Sequence, residues 1–255
     1  MSDTHNALIV DQFTRQAVPY SNAAPIQNDD LLNRIVRIAK ATANDTSLDV
    51  ACGPGLLVCA FASVVQHATG IDLTPAMLDQ ARKLQHQQHL ANITWDQGDV
   101  TRLPYPDAHF SVVTCRFAFH HFPQPLSVLQ EMRRVCQPGG RIVVADSSPA
   151  AARADAFNAM ERLRDPSHTR ALPIAELSTL FQQVGLPAPH VETYRLSGEL
   201  EDLLARSFPN PGDADRIRQI FENSLIDDTL DMAARRENGK IHHAFPITIL
   251  TATVS

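Results

Sequence analysis

Residues 48–58 read LDVACGPGLLV. An apolar run, Leu48 to Val50, meets a turn holding Gly53 and Gly55, and a second apolar run, Leu56 to Val58, follows. A strand that breaks into a glycine turn and re-enters as a helix lets the backbone approach a ligand closely, because glycine tolerates conformations a side chain forbids. The dinucleotide pattern GxGxxG is only partly met: Gly53 and Gly55 fill two positions, but Val58 stands at the third. The triphosphate pattern fails, since no Lys-Ser or Lys-Thr follows. The turn fits a nucleotide-like ligand without the usual signals for its phosphates.

Outward from this turn, strands and helices alternate. ATGID (68–72), NITWDQGD, FSVVTCRF and RIVVADS are strand-like runs. Between them, LTPAMLDQARKL places Thr74 as N-cap and Pro75 in the first helical turn. QPLSVLQEMRRVCQPGG is expected to be a helix stopped by Pro138, Gly139 and Gly140. Such alternation implies parallel βαβ units. The expected fold is α/β, a Rossmann-like doubly wound, mostly parallel seven-stranded sheet with helices on both faces. Upstream, NDDLLNRIVRIAKA carries an apolar stripe at helical spacing. Downstream, IAELSTLFQQVGL is expected to be a helix, VETYRLSG and FPITILTATV late strands, and NPGDADRIRQIFENSLIDDTLDMAARREN a helical insertion. The whole chain, 1–255, is expected to be one domain: a helical arm over 1–44, a ligand-binding core over 45–150, and acceptor-side insertions with the last strands over 151–255.

Composition narrows the partner. The 255 residues are 44% hydrophobic, enough for a sizeable core, and carry a formal net charge of −6. Basic residues are scattered, so the positive footprint that nucleic acid requires is missing. No apolar run is long enough to span a bilayer, and the first residues do not resemble a signal peptide. Cys52, Cys59, Cys115 and Cys136 form no CxxC pair and no zinc spacing. The expectation is a cytoplasmic protein with a small-molecule partner, no nucleic acid, no membrane span and no metal; the oligomeric state is not legible.

Two acids sharpen the ligand. Asp72 ends the second strand, 19 residues beyond Gly53, where a carboxylate can accept from ribose hydroxyls. Its alternative is a helper for the helix at Pro75, a role Thr74 already fills. Asp99, after the third strand, can accept from an exocyclic amine, with the Val100 or Thr101 backbone meeting ring nitrogens; the alternative is a turn-capping Asp. Three successive strand ends thus present glycines and acids and no lysine or arginine. Such a lining suits a positively charged nucleoside.

These stretches, with GIDLTPAML, GDVTRLPYPDAHFSVV, FHHF and EMRRVCQPGGRIVVAD, resemble the class I S-adenosylmethionine-dependent methyltransferases, and among them the ubiquinone/menaquinone C-methyltransferase group, over about residues 45 to 150. The resemblance implies S-adenosyl-L-methionine as cofactor and S-adenosyl-L-homocysteine as product. It implies that Asp49, Ala51, Cys52, Gly53 and Gly55 surround the methionine part and that Asp72 holds the ribose. Leu73 and Met77 would pack on adenine, Asp99 and Val100 would read its edge, and Arg116 would pass near the methionine moiety. Ala51 departs from the usual glycine, from which slightly tighter packing is expected. An N-terminal helix closes over the cofactor in similar enzymes, making Phe13, Arg15 and Tyr20 lid candidates.

Methyl transfer needs an aligned acceptor and sometimes a base. His121 with Asp146 matches the spacing of a His and Asp in some similar O-methyltransferases, and His120 is the second candidate. In RLRDPSHTRAL, His168 and Arg170 are candidate acceptor contacts, while His242 and His243 are expected at a strand edge, with lining of the acceptor site as the alternative. The expected function is methyl transfer to a small molecule, at an aromatic or heteroaromatic oxygen, nitrogen or activated carbon. Open alternatives are an NAD(P)-dependent oxidoreductase on a similar fold, a cofactor-binding protein of this fold without transferase activity, and an enzyme using the sulfonium only electrostatically.

Overall fold

The computed structural model describes residues 3–255; the first two positions of the expected N-terminal arm lie outside the described residues. Helices α1 (Asp3–Ser21) and α2 (Asp29–Ile38) come first, then β1 (Thr46–Val50), α3 (Leu56–Ala62), β2 (His67–Asp72), α4 (Pro75–Gln87) and β3 (Ile93–Gln97). They are followed by β4 (Phe110–Arg116), α5 (Pro125–Val135) and β5 (Cys136–Ser147). The rest of the chain forms α6 (Ala154–Arg164), α7 (Ile174–Gln183), β6 (His190–Glu199), α8 (Leu200–Ala205), α9 (Asp213–Asp227), β7 (Arg235–Glu237) and β8 (Lys240–Thr253).

The strands pair in the order β3-β2-β1-β4-β5-β8-β6, with the short β7 joined to β8. From β3 to β5 every pairing is parallel, whereas β8 runs antiparallel to both β5 and β6. The expected doubly wound sheet is present, its seven-stranded path extended by β7. Strand order reverses between β1 and β4, which opens a crevice at their carboxyl ends, where open α/β sheets take ligands.

Successive residues of a strand face opposite layers. In one layer, Leu48, Val113, Ile142 and Val144 pack with Leu129 of α5 and Phe181 of α7; in the other, Val112 and Val143 pack with Leu31 of α2 and Phe61 of α3. Full burial of one such side chain is worth roughly 1.5–3 kcal/mol. In α2 the Asn28 side chain accepts from Leu31 N at 2.9 Å, capping a helix whose buried face is Leu31, Leu32, Ile35 and Val36.

Two boundaries differ from expectation. Helix α5 ends at Val135, because Cys136 is already extended, and Pro138 to Gly140 lie inside the start of β5. The expected late helical insertion is helical only through α9: Asp228 takes a left-handed φ of 43° and ends it. The segment beyond returns as β7, paired with β8 across Asn238 and Gly239, whose φ values of 50° and 79° suit a tight hairpin.

Candidate active site

The turn after β1 is held by its own neighbours. Ala51, Gly53 and Gly55 have φ values of 56°, 52° and 78°. Gly55 has a second reason to be glycine: a Cβ there would collide with the Trp95 ring and lie 2.8 Å from the Ala81 Cβ. Gly53 N donates to Asp72 Oδ2 and Thr74 N donates to Asp72 Oδ1, each at 2.8 Å. Asp72 therefore caps the start of α4, while the Thr74 hydroxyl makes no cap and is buried without a partner. The expected division of labour is corrected: Asp72 does the capping. A carboxylate has about four acceptor sites, so two remain.

These residues line one side of a cavity of about 730 Å³, its opening to solvent included. Asp49, Ala51, Cys52, Gly53 and Asp72 face it from the strand ends, and Leu73, Met77 and Val100 form its apolar wall. Asp49 is buried and accepts from Thr114 Oγ1 at 2.6 Å. Burial pushes its carboxyl up to about 7, and Asp72 pushes in the same direction against the Thr114 hydrogen bond and Arg116. Asp72 is likewise raised by burial, against its hydrogen bonds. Arg116 Nη1 donates to Ile26 O at 3.2 Å, and its guanidinium lies 4.8 Å from the centre of the Phe117 ring. Phe117 itself has a left-handed φ of 57°, strain of the kind that persists where function requires it.

Asp99 stands just outside this lining. Its Oδ1 accepts from Thr101 N and Oγ1, and its Oδ2 accepts from Asn6 Nδ2 at 2.9 Å. These bonds hold the carboxyl below its ordinary value although burial opposes them. Asn6 belongs to α1, which also touches the site through His5 Nε2, donating to His121 O at 2.8 Å. From the same helix, the Phe13 ring stands edge-on to His121 with centroids 5.0 Å apart. Phe13 and Tyr20 line the cavity, whereas Arg15 pairs with Asp11 at the surface.

A second cavity, with about 680 Å³ of space, adjoins the first; Phe13, Tyr20, Phe117 and His121 line both. Here the expected pairing of His121 with Asp146 is corrected. Asp146 Oδ1 lies 2.5 Å from His120 Nδ1, and Asp146 Oδ2 accepts from His120 N at 3.0 Å. A carboxylate only accepts, so His120 carries its proton on Nδ1 and its Nε2 lone pair is left for another partner. Burial disfavours the charged ring, but Asp146 outweighs it and holds the His120 pKa above the ordinary value. His121 instead points Nδ1 at Ser167 O, 3.1 Å away. Burial and the neighbouring His120 bring His121 down to about 4.

The expected acceptor contacts also move. His168 is buried behind the His pair: its Nε2 donates to Asn158 Oδ1 at 2.7 Å, and it lines neither cavity. Arg170 is exposed and pairs with Glu176 at 2.6 Å. From the same segment, Arg164 and Asp165 face the second cavity. So do Arg206, beyond α8, and His243, which is buried in β8 and takes the cavity-lining alternative rather than the strand edge. Arg164, Arg206 and Phe117 carry no sequence signal; His243 stands beside His242 in IHHAF.

Comparison with known proteins addresses the family and the fold. The family model described as a methyltransferase domain matches residues 48–144. The chain is 30% identical over 211 residues to the uncharacterized methyltransferase YcgJ of Bacillus subtilis, covering 82% of each chain. It is 37% identical to the demethylmenaquinone methyltransferase of Deinococcus radiodurans over 58% of this chain and 66% of that one. The crystal structure of YcgJ superposes with a TM-score of 0.80 at 25% identity, over 88% of this chain and 97% of the other. The glycine turn, the acidic strand ends and these relatives together place the chain in the family of S-adenosylmethionine-dependent methyltransferases.

Proposed function

We propose that the chain methylates a small molecule at an aromatic or heteroaromatic oxygen, nitrogen or activated carbon, working as one domain whose residues 1–44 close the site. The observation that carries this reading is the pair of adjoining cavities sharing Phe13, Tyr20, Phe117 and His121. The shared walls set the two spaces side by side, so a group held in one can approach a group held in the other. The residues of the first cavity fit S-adenosylmethionine. Asp72 keeps spare acceptor sites for ribose hydroxyls, the Thr74 hydroxyl lacks a partner, and Asp49 offers a buried carboxyl beside the place a cation would take. When bound, the cofactor supplies an electrophilic methyl group on a sulfur that leaves as a thioether.

The chain's own residues do the rest. Phe13, Tyr20, Phe117 and Phe245 give the acceptor cavity aromatic walls that orient a flat ring. Alignment of this kind can lower the barrier by several kcal/mol. His120 faces the acceptor cavity, and with Nδ1 bound to Asp146 its Nε2 can take the proton an acceptor hydroxyl loses. Asp146 then stabilises the charged ring. His121, neutral at pH 7 and at the boundary of the cavities, holds the acceptor in place.

The test is transfer of a labelled methyl group from S-adenosylmethionine to a panel of phenols, quinols and nitrogen heterocycles, alongside calorimetric binding of S-adenosylmethionine, S-adenosylhomocysteine and NAD(P). Binding of the two sulfur nucleosides with label transfer to a panel member supports the reading. NAD(P) binding without them overturns it, and tight binding of the sulfur nucleosides with transfer to no member of the panel removes the aromatic assignment.

A further inference from the structure

Resting on that reading, we propose that the acceptor carries a carboxylate, and that Arg206 and His243 form its subsite in the acceptor cavity. Two independent observations meet there. The first is an unpaired charge. The other ionised groups of this wall are satisfied among themselves: Arg164 Nε and Nη2 donate to the two oxygens of Glu161 at 2.8 and 2.6 Å, and Asp165 accepts from Gln16 and from Ser167. Among the described residues the Arg206 guanidinium has neither a hydrogen bond nor an ion pair, although it faces the same cavity. Burial and the like charge of Arg164 work against its ionised form, and Tyr20, Asp202 and Glu161 only partly offset them. A half-buried guanidinium at a cavity wall with no hydrogen bond of its own keeps its donors free for an anionic group entering that cavity.

The second observation is His243. It is 1% exposed and lines the cavity, yet neither ring nitrogen has a partner in hydrogen-bonding geometry, although the Glu199 main chain lies near it. Burial and the charges of Arg206 and Arg164 bring its pKa down to about 3, so the ring is neutral and offers one N–H. The ring packs closely on Gly198, the residue before Glu199 in β6, where a Cβ would lie 3.0 Å from His243 Cε1. A fork of guanidinium donors beside one imidazole N–H matches a single carboxylate. The surrounding wall, Pro25, Ile26, Leu196, Leu203 and Phe245, is apolar and suits the remainder of an organic acid. Arg206 lies outside the lining of the cofactor cavity, so this carboxylate belongs to the acceptor.

The experiment uses the full chain saturated with S-adenosylhomocysteine and a panel of aromatic and heteroaromatic carboxylic acids, each paired with its primary amide. Binding is read by thermal shift and then by calorimetry. At least one acid is expected to bind tenfold or more tighter than its amide. Arg206→Gln should erase that preference while leaving S-adenosylhomocysteine affinity within twofold of wild type. Without ligands, the variant should melt no lower than wild type, since the half-buried Arg206 side chain gives up no hydrogen bond or ion pair. If no acid outperforms its amide while S-adenosylhomocysteine binds, the carboxylate assignment falls and the methyltransferase reading stands. If the preference survives Arg206→Gln, or the variant melts several degrees lower, Arg206 is structural and the subsite is wrong. Absence of S-adenosylhomocysteine binding by the wild type overturns the underlying reading.

Discussion

Affinity for S-adenosylmethionine should be controlled by the protonation of Asp49. Its carboxyl is buried beside the glycine turn and raised from 3.8 to about 7, chiefly by burial. The gap corresponds to at most roughly 4 kcal/mol at about 1.4 kcal/mol per pH unit. A raised carboxyl means that, without ligand, the native state holds a proton the unfolded chain has lost between pH ~4 and ~7. Stability from this group is therefore full below about pH 4, falls as pH rises towards 7, and is flat above. A cation placed beside Asp49 acts in the opposite sense, favouring the ionised form. Binding should release a proton at pH 6, and affinity should weaken by up to tenfold per pH unit as pH drops below about 7. Calorimetry at pH 6 in buffers of different ionisation enthalpy counts that proton directly. Asp49→Asn should abolish the release, flatten the pH dependence and bind the cofactor less tightly at pH 8. Because Asp72 is also raised by burial, the variant is the deciding comparison. An unchanged proton count in Asp49→Asn, or a wild-type affinity constant from pH 5.5 to 8, would refute the reasoning.

Other residues give sharper local tests. Asp72→Ala should weaken S-adenosylhomocysteine binding by roughly 1–3 kcal/mol, measured by calorimetry, and lower stability, since Gly53 N and Thr74 N lose their acceptor. Affinity equal to wild type would remove Asp72 from the ribose site. His120→Ala should lower turnover on a hydroxyl acceptor by about 10²–10⁴-fold with cofactor affinity unchanged; a loss confined to His121→Ala would reverse the two roles. Ala51→Gly relieves a left-handed alanine costing about 1–2 kcal/mol but adds chain entropy of about 0.5–1 kcal/mol when unfolded. Urea denaturation should show a net gain of roughly 0.5 kcal/mol, and a loss would mean that Ala51 makes contacts the glycine cannot replace.

The cofactor half of the site was legible because parallel strands buried on both faces appear as continuous apolar runs, and their ends appear as isolated acids and glycines. FSVVTCRF and RIVVADS announced β4 and β5, and GIDLTP announced both a strand end and a helix start. Boundaries failed where a local signal competed with pairing. The glycines of QPGG suggested a helix stop, but the segment is carried inside β5 as an irregularity between the Phe110–Cys136 and Val112–Arg141 pairs. Asn238-Gly239 is a hairpin signal within the supposed late helix, and giving it weight would have found β7. The His pair failed for a geometric reason. FHHF forms a short 3-10 turn, in which adjacent side chains point about 120° apart, and spacing alone does not say which ring turns to Asp146. The backbone settles it: His120 N also donates to Asp146, so the carboxylate grips one residue at both its main chain and its ring.

The acceptor half was less legible because its walls converge from parts of the chain far apart in sequence. Tyr20 comes from α1, His120 from the turn after β4, Arg164 from the last turn of α6, Arg206 from the end of α8 and His243 from β8. Nothing in LLARSF distinguishes Arg206 from Arg218 in RIRQIF, yet Arg218 is an exposed residue paired with Glu201 and Asp215, and Arg206 is the one without a partner. The difference arises when α8 packs against β8, bringing a guanidinium beside His243 under an apolar roof. The same packing turns RLRDPSHTRAL inside out: Thr169 N and Arg170 N donate to His120 O, which carries His168 behind the His pair and leaves Arg170 outside. Residue type identified the segment, and the direction of its backbone decided which member faces the cavity. Around α8 and β8 the functional candidate is the polar group whose hydrogen-bonding capacity the fold leaves unused. That criterion depends on three-dimensional neighbours, and it points to Arg206 and His243 as the pair to substitute together: if they share one carboxylate, their effects on its affinity should be far from additive.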